Sequence, residues 1–224
     1  MQILIINPNS TATMTRSIAE AARAVASSGV KITAVNPAQG PASIQGPEDG
    51  EAALPGLFET FASETRSGDY DAVIIACFDD TGLAELKARS PLPVLGIGEA
   101  AFHAAMMLGA RFSVVTTLAV SVPVIEENIA AYGFARRCAK VRASGVPVLQ
   151  LDGPDGQAEG TIRAEARRAL AQDGCDVIVL GCAGMADLAA SLSGDLKLPV
   201  VDGVAAAVGF CENLVRMQRV KAIA

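Results

Sequence analysis

Histidine, aromatic side chains and runs of basic residues are all scarce in this chain of 224 residues, and each shortage closes a class of function. The single histidine, His103, leaves little for a zinc or iron site. Aromatics make up 4% of the residues while alanine abounds, which suits close helix packing on a sheet rather than stacking on bases. A net charge of −6 with no basic run to offset it argues against nucleic acid and against an anionic membrane surface as partners. No apolar run approaches the roughly 18 residues of a membrane span. Residues Met1-Gln2 lead straight into Ile3–Ile6 without the basic start and longer apolar stretch of a secretory signal, so a soluble, cytoplasmic chain is expected. The five cysteines, at 77, 138, 175, 182 and 211, contain no Cys-x-x-Cys pair, and their odd number argues for thiols rather than a disulfide framework.

Cofactor signatures are equally thin. There is no phosphate-binding Gly-x-x-x-x-Gly-Lys loop, no Gly-x-Ser-x-Gly elbow and no metal cluster. One dinucleotide-like stretch, Gly96 to Ala101, fits Gly-x-Gly-x-x-Ala, follows a strand and opens a helix. It is a weak match, because Thr116-Thr117 stands about 20 residues on, where a ribose-binding acid belongs, and because it follows the fourth strand rather than the first. The expectation is chemistry without a cofactor.

Short apolar, β-branched runs predict strands at 2–6, 30–35, 72–76, 93–97, 112–116, 146–151, 177–181 and 199–201. Amphipathic stretches predict helices at 12–27, 50–66, 81–88, 99–108, 120–132, 158–172, 184–192 and 203–219, the first capped by Asn9, Ser10 or Thr11. Their alternation points to an α/β fold with parallel strands, in which ligands bind beyond the C-terminal strand ends. Two segments break the rhythm. Residues 36–50 are dense in Gly and Pro and read either as a substrate-covering loop or as an irregular crossover; residues 152–160 are the corresponding place further on.

The chain also carries a faint internal duplication. Cys77 follows the run Asp71–Ala76, Cys182 follows Cys175–Gly181, and Leu92-Pro93-Val94 and Leu198-Pro199-Val200 follow at matching distances. Upstream, Ile3–Asn9 corresponds to Phe112–Thr117. Each half therefore offers a polar strand end, Asn9 or Thr117, and a thiol to one shared cleft. Moving a proton off a carbon beside a carbonyl and returning it on the other face needs an acid and a base on opposite sides of a planar intermediate. Thiols suit both roles, with a free pKa of about 8.5 that falls at a helix N-terminus. A lone cysteine is more often a small buried filler, and Cys138, Cys175 and Cys211 are assigned to that role. Asp79 or Asp80 reads as the cap of a helix beginning near Thr81, or Asp79 as the acceptor of a substrate N–H. Either carboxylate would oppose ionisation of Cys77. His103 reads as a satisfied or surface residue, and Asn7 and Asn9 around Pro8 as turn and cap residues or polar contacts.

Several motifs together resemble the aspartate/glutamate/hydantoin racemase superfamily: Ile6–Thr11, Pro41–Ile44, Ala76–Asp80, Arg111–Thr117 and Leu180–Met185. Within it they are most similar to the hydantoin and allantoin racemases. The amino-acid racemases carry Cys-Asn-Thr and Cys-Thr-His around their thiols, where this chain has Cys77-Phe78-Asp79 and Cys182-Ala183-Gly184. The resemblance implies an isomerase built of two pseudo-symmetric α/β lobes, 1–98 with 203–224 and 99–202, with the active site between them and a homo-oligomer in solution. It implies Cys77 and Cys182 as the acid/base pair acting without cofactor at C5 of a cyclic ureide, a 5-monosubstituted hydantoin. Asn9, Phe78, Asp79, Thr116, Thr117 and the Ala183-Gly184 backbone would bind the ring, with Ile44 in the side-chain pocket. The alternatives are allantoin racemase, a maleate-type isomerase or decarboxylase, and a catalytically silent small-molecule binding protein.

Overall fold

The computed structural model describes residues 1–151 and 156–221; the first four residues of the Gly-rich stretch 152–160 and the last three residues of the chain lie outside the described residues. Strand and helix alternate: β1 (Gln2–Ile6), α1 (Ala12–Val25), β2 (Lys31–Val35), α2 (Pro47–Ser67), β3 (Ala72–Ile75), α3 (Leu83–Arg89), β4 (Val94–Gly96), α4 (Ile97–Leu108), β5 (Phe112–Thr116), α5 (Val122–Ala131), β6 (Cys138–Ala143), α6 (Gln157–Gln172), β7 (Val177–Gly181), α7 (Leu188–Leu196), β8 (Val200–Asp202) and α8 (Gly203–Lys221). Single 3-10 turns stand at Ala119–Ser121, Val148–Gln150 and Ala183–Met185. The strands form two parallel four-stranded sheets of identical topology, β2-β1-β3-β4 and β6-β5-β7-β8. The duplication in the sequence is thus a duplication of architecture. Among the described residues no helix is long and apolar enough to cross a membrane.

The central strands β1, β3, β5 and β7 are apolar and buried on both faces, because helices cover each sheet from both sides. Alternate residues face different cores. Ile3, Ile5, Val177 and Val179 point into a cluster shared by both sheets and filled by α1, α4 and α8, whereas Leu4, Ile6, Val73 and Ile75, and Ile178 and Leu180, face two separate outer clusters. Phe102 of α4 sits at the middle of the shared core, edge-on to Phe78 at 5.4 Å and stacked on Phe112 at 5.7 Å. The last helix, α8, returns to pack on α1, α4 and β3.

Two expected elements are placed differently. The strand expected at 146–151 is instead β6 at Cys138–Ala143, and Pro147 introduces only a 3-10 turn. As an edge strand β6 carries Lys140 and Arg142, which hid its pattern; edges tolerate such charges. Arg142 is satisfied by Asp173 at 2.5 Å and Glu165 at 2.8 Å. The helix expected at 184–192 starts later, as α7 at Leu188, after the 3-10 turn that follows Cys182.

Candidate active site

The strand order reverses direction between β1 and β3 and again between β5 and β7, so the C-terminal ends of these four strands open the crevices where α/β folds bind ligands. All four ends meet at one small cavity of about 30 Å³. Asn9, Ile44, Cys77, Phe78, Asp79, Thr116, Thr117, Cys182 and Ala183 line it together; of the expected site residues, Gly184 is the one outside the lining. Gly184 packs instead on Leu151, whose Cδ1 would lie 2.8 Å from any added Cβ. Asn7, read from the sequence as a turn residue or polar contact, also lines the cavity, as do Met14, Ser121 and Val148, which were not anticipated as site residues. The strand register sets Asn7 opposite Thr116 and Pro8 opposite Thr117, so Asn9 is not the counterpart of Thr117 as expected, since Ile6 pairs with Ile75 as Val115 pairs with Leu180.

Around β1 the polar groups hold one another. Asn7 Nδ2 donates to Asn9 Oδ1 (2.9 Å) and Thr15 Oγ1 (3.1 Å), and the Thr11 N–H donates to Asn9 Oδ1 (2.9 Å). Asn9 therefore fixes the turn that leads into α1, while Thr11 stands at the N-cap position without a side-chain capping bond. Ser10 and Thr11 spend their hydroxyls on the carbonyls of Gly40, Pro41 and Ala42. Those bonds anchor the Gly/Pro-rich segment, which then crosses the cavity: Ile44 lines it, and Gln45 Oε1 accepts the Val148 N–H at 3.0 Å.

Cys77 follows β3 and keeps part of its surface open to the cleft. Burial, followed by the Asp79 carboxylate, pushes its thiol well above the ordinary range; the Thr81 hydroxyl, donating to Sγ at 3.3 Å, and the Asp79 N–H pull the other way. Asp79 is pushed up to about 6 by burial, with the Ser121 hydroxyl and the Gly46 N–H limiting the rise. Its Oδ2 is buried without a hydrogen-bond partner, on a residue that lines the cavity. An unsatisfied acceptor in such a place is suited to a ligand N–H.

Asp80 does not cap the helix near Thr81. Its Oδ1 accepts the Gly98 N–H (3.0 Å) and its Oδ2 the Glu99 N–H (2.7 Å), so it caps α4. This explains the Gly-x-Gly stretch: a Cβ at Gly96 would overlap Asp80 Oδ1, and one at Gly98 would overlap the Phe78 carbonyl oxygen. The glycines make room for the chain's own carboxylate at a helix N-terminus, where a dinucleotide-binding loop would admit a pyrophosphate.

In the second half Cys182 follows β7 and its carbonyl accepts the Met185 N–H that starts the 3-10 turn (3.1 Å). Thr116 Oγ1 donates to the Gly181 carbonyl at 2.9 Å. The remaining cysteines lie away from the cavity: Cys211 is buried in the shared core with its thiol pushed up to about 12, Cys175 is buried beneath α6, and Cys138 begins β6 with its thiol pushed up to about 11, burial being the main cause for Cys211 and Cys138. His103 lies on α4, its Nδ1 bonded to the Glu99 carbonyl (2.8 Å) and its ring edge-on to Phe134. Among the described residues no three His, Cys, Asp or Glu side chains converge in a metal-holding group.

The Asp/Glu/Hydantoin racemase family matches residues 3–211. The chain is 45% identical over 217 residues to a hydantoin racemase of Rhizobium meliloti, covering 96% of this chain and 88% of that one. Among solved structures it is similar to an allantoin racemase from Klebsiella pneumoniae, with a TM-score of 0.94 and 42% identity over 97% of this chain and 89% of that one. An allantoin racemase from Pseudomonas fluorescens gives a TM-score of 0.93 and 41% identity, covering 97% and 92%. With two matching sheets, paired strand ends at one cavity and this extent of similarity, the chain belongs to the Asp/Glu/hydantoin racemase family and is an isomerase of the racemase type.

Proposed function

We propose that the protein racemises 5-monosubstituted hydantoins, with Cys77 and Cys182 exchanging a proton at C5 from opposite faces of the ring. The observation that supports this most directly is that the two thiols, each following the equivalent strand of its sheet, line the same cavity. In one direction the Cys182 sulfur takes the C5 proton and leaves an enolate, and the Cys77 thiol returns its own proton to the other face; the reverse direction exchanges the roles. The flanking carbonyl and ureido nitrogen make C5–H acidic enough for a thiolate, so no cofactor is required. A thiol held protonated at rest makes Cys77 the first donor. Asp79 Oδ2 accepts a ring N–H, Asn9, Thr116 and Thr117 bind the ring's polar edges, and the Ala183 backbone, which lines the cavity where Gly184 does not, serves the developing oxyanion. Met14, Ile44, Phe78 and Val148 supply apolar walls for the substituent. The lobes in this reading are 1–98 with 203–224, and 99–202.

A five-membered ureide is larger than the cavity, which holds about two waters. Binding therefore requires the walls of the cavity to part. Allantoin, which carries a polar ureido arm on the same ring, is the second candidate because the solved neighbours at 42% and 41% identity are allantoin racemases.

The deciding experiment follows optical rotation of L-5-benzylhydantoin and of S-allantoin in D₂O. Wild type should racemise at least one of them with deuterium entering at C5, the faster substrate naming the specificity. Enantiomers are equal in free energy, so kcat/KM must fall equally in both directions in any variant. Cys77→Ala and Cys182→Ala should each slow racemisation by about a thousandfold. Each should still wash deuterium into one enantiomer without inverting it, the opposite enantiomer in the two variants. Folded wild type that racemises neither substrate, or single variants that racemise normally, would sink the proposal.

A further inference from the structure

The turn that carries Cys77 is gripped from outside its own sheet. Tyr132, at the end of α5, donates its hydroxyl to Asp80 Oδ2 at 2.8 Å, and Asn128 Nδ2 of the same helix donates to the Asp79 carbonyl at 2.9 Å. Asp80 also takes the two N–H groups of α4, at the point where the chain passes from the first sheet to the second. Asp80 holds φ at 50°, a left-handed conformation that costs a non-glycine residue about 1 kcal/mol and persists only where its surroundings over-determine it. Phe78, in the same turn and lining the cavity, is packed edge-on against Phe102.

The equivalent turn in the second half is built differently. The strand registers put Met185 where Asp80 stands, three residues past the cysteine, and Met185 is a fully buried apolar side chain. A thioether accepts hydrogen bonds too weakly to hold a helix N-terminus. The helix after β8 is served instead by its own neighbour: Asp202 accepts the N–H groups of Val204 (3.0 Å) and Ala205 (2.8 Å).

We infer that Tyr132, Asn128 and Asp80 are positioning residues for Cys77, forming a clamp from α5 and α4 that fixes one thiol of the pair relative to the second sheet. The inference rests on the two-thiol reading above. Because Tyr132 and Asn128 pack with the second half while Cys77 belongs to the first, the clamp sets the separation and angle between the two sulfurs, on which transfer across a planar intermediate depends steeply. Neither Tyr132 nor Asn128 lines the cavity, so neither contributes to binding the ring. Burial and the Asp80 charge raise the Tyr132 hydroxyl above its ordinary range, so it remains a donor.

The test uses Tyr132→Phe and Asn128→Ala with two readouts. Iodoacetamide alkylation of Cys77 and Cys182, followed separately by peptide mass spectrometry, should show the Cys77 rate rising at least fivefold and the Cys182 rate within twofold of wild type. Racemisation should lose about tenfold in kcat with KM within threefold. Equal acceleration at both thiols would mean general loosening, and no change at either would mean that the contacts do not position Cys77; both results overturn the clamp, as does a loss confined to KM. Should Tyr132→Phe fold poorly, Asn128→Ala reads the same clamp from the Asp79 carbonyl. If wild type turns over neither hydantoin nor allantoin, the proposed reaction falls while the alkylation ratio still decides the clamp.

Discussion

In the second half of the molecule α8 is capped from next door, by Asp202 directly before it, while in the first half α4 is capped by Asp80, which lies 18 residues earlier in the chain. The two caps serve the same pair of N–H groups with nearly the same distances. The strand registers place Gly96 where Asp202 stands, Ile75 pairing with Gly96 as Leu180 pairs with Asp202. A side chain at 96 would overlap the Asp80 carboxylate, so the local cap and the distant cap exclude each other. At the far ends of the same strands the halves agree: Asp71 accepts the Gln2 N–H at 2.8 Å, and Asp176 accepts those of Ala110 and Arg111, both at 2.8 Å. Divergence is concentrated at the cavity end. The local cap of α8 uses no side chain of the Cys182 turn, whereas the distant cap joins the Cys77 turn to α4 and α5.

The comparison is broken most severely by Gly98→Ala. Its Cβ would meet the Phe78 carbonyl, and at 2.8 Å an oxygen of the buried Asp80 carboxylate, neither of which can step aside. A loss above about 3 kcal/mol is expected, with a drop of roughly 10 °C in thermal midpoint by circular dichroism. A midpoint within 2 or so degrees of wild type would refute the packing account.

Removing the carboxylates in turn ranks the two caps. Asp202→Ala should cost about 1 kcal/mol, as an ordinary N-cap does. Asp80→Ala should cost about 3 kcal/mol, because it also orphans the Tyr132 hydroxyl and two N–H groups in a buried place. Denaturant unfolding of both variants gives the order, and equal costs would mean that reach across the fold adds nothing.

The effect of Asp79→Asn differs from the others in depending on pH. Between about pH 4 and pH 6 the unfolded chain has released the Asp79 proton while the folded chain retains it, since burial raises the folded value to about 6. Folded wild type therefore loses stability as pH rises through this window and levels off above it. The advantage of Asp79→Asn should be near zero at pH 4, grow up to about pH 6 and then stay constant in thermal melts. With the neighbouring charge gone, Cys77 alkylation should also move to lower pH while Cys182 alkylation stays in place. A stability difference independent of pH would show that Asp79 is already ionised in the folded chain below pH 4.

Much of the architecture was legible because its signals are local. The strands β1, β3, β5 and β7 are buried on both faces and read as continuous apolar runs, and the thiols after β3 and β7 stand out because the duplication repeats them. The edge strand β6 escaped notice because Lys140 and Arg142 interrupt it, and Arg142 finds Asp173 and Glu165 only after α6 has folded against it. Met14, Ser121 and Val148 reach the cavity from three separate elements, and no spacing in the chain connects them. Gly96 and Gly98 were visible as a motif, yet the group they accommodate was not.

Sequence by itself determined the alternation of strand and helix, the twofold repeat and the pair of candidate thiols, because burial periodicity and repetition are written along the chain. Tertiary structure alone decided which carboxylate caps α4, which side chains surround the cavity and which thiol is clamped. Those outcomes depend on contacts between residues far apart in the chain, and the propensity of each residue is silent about the partner it meets when two sheets and the helices between them close around one site.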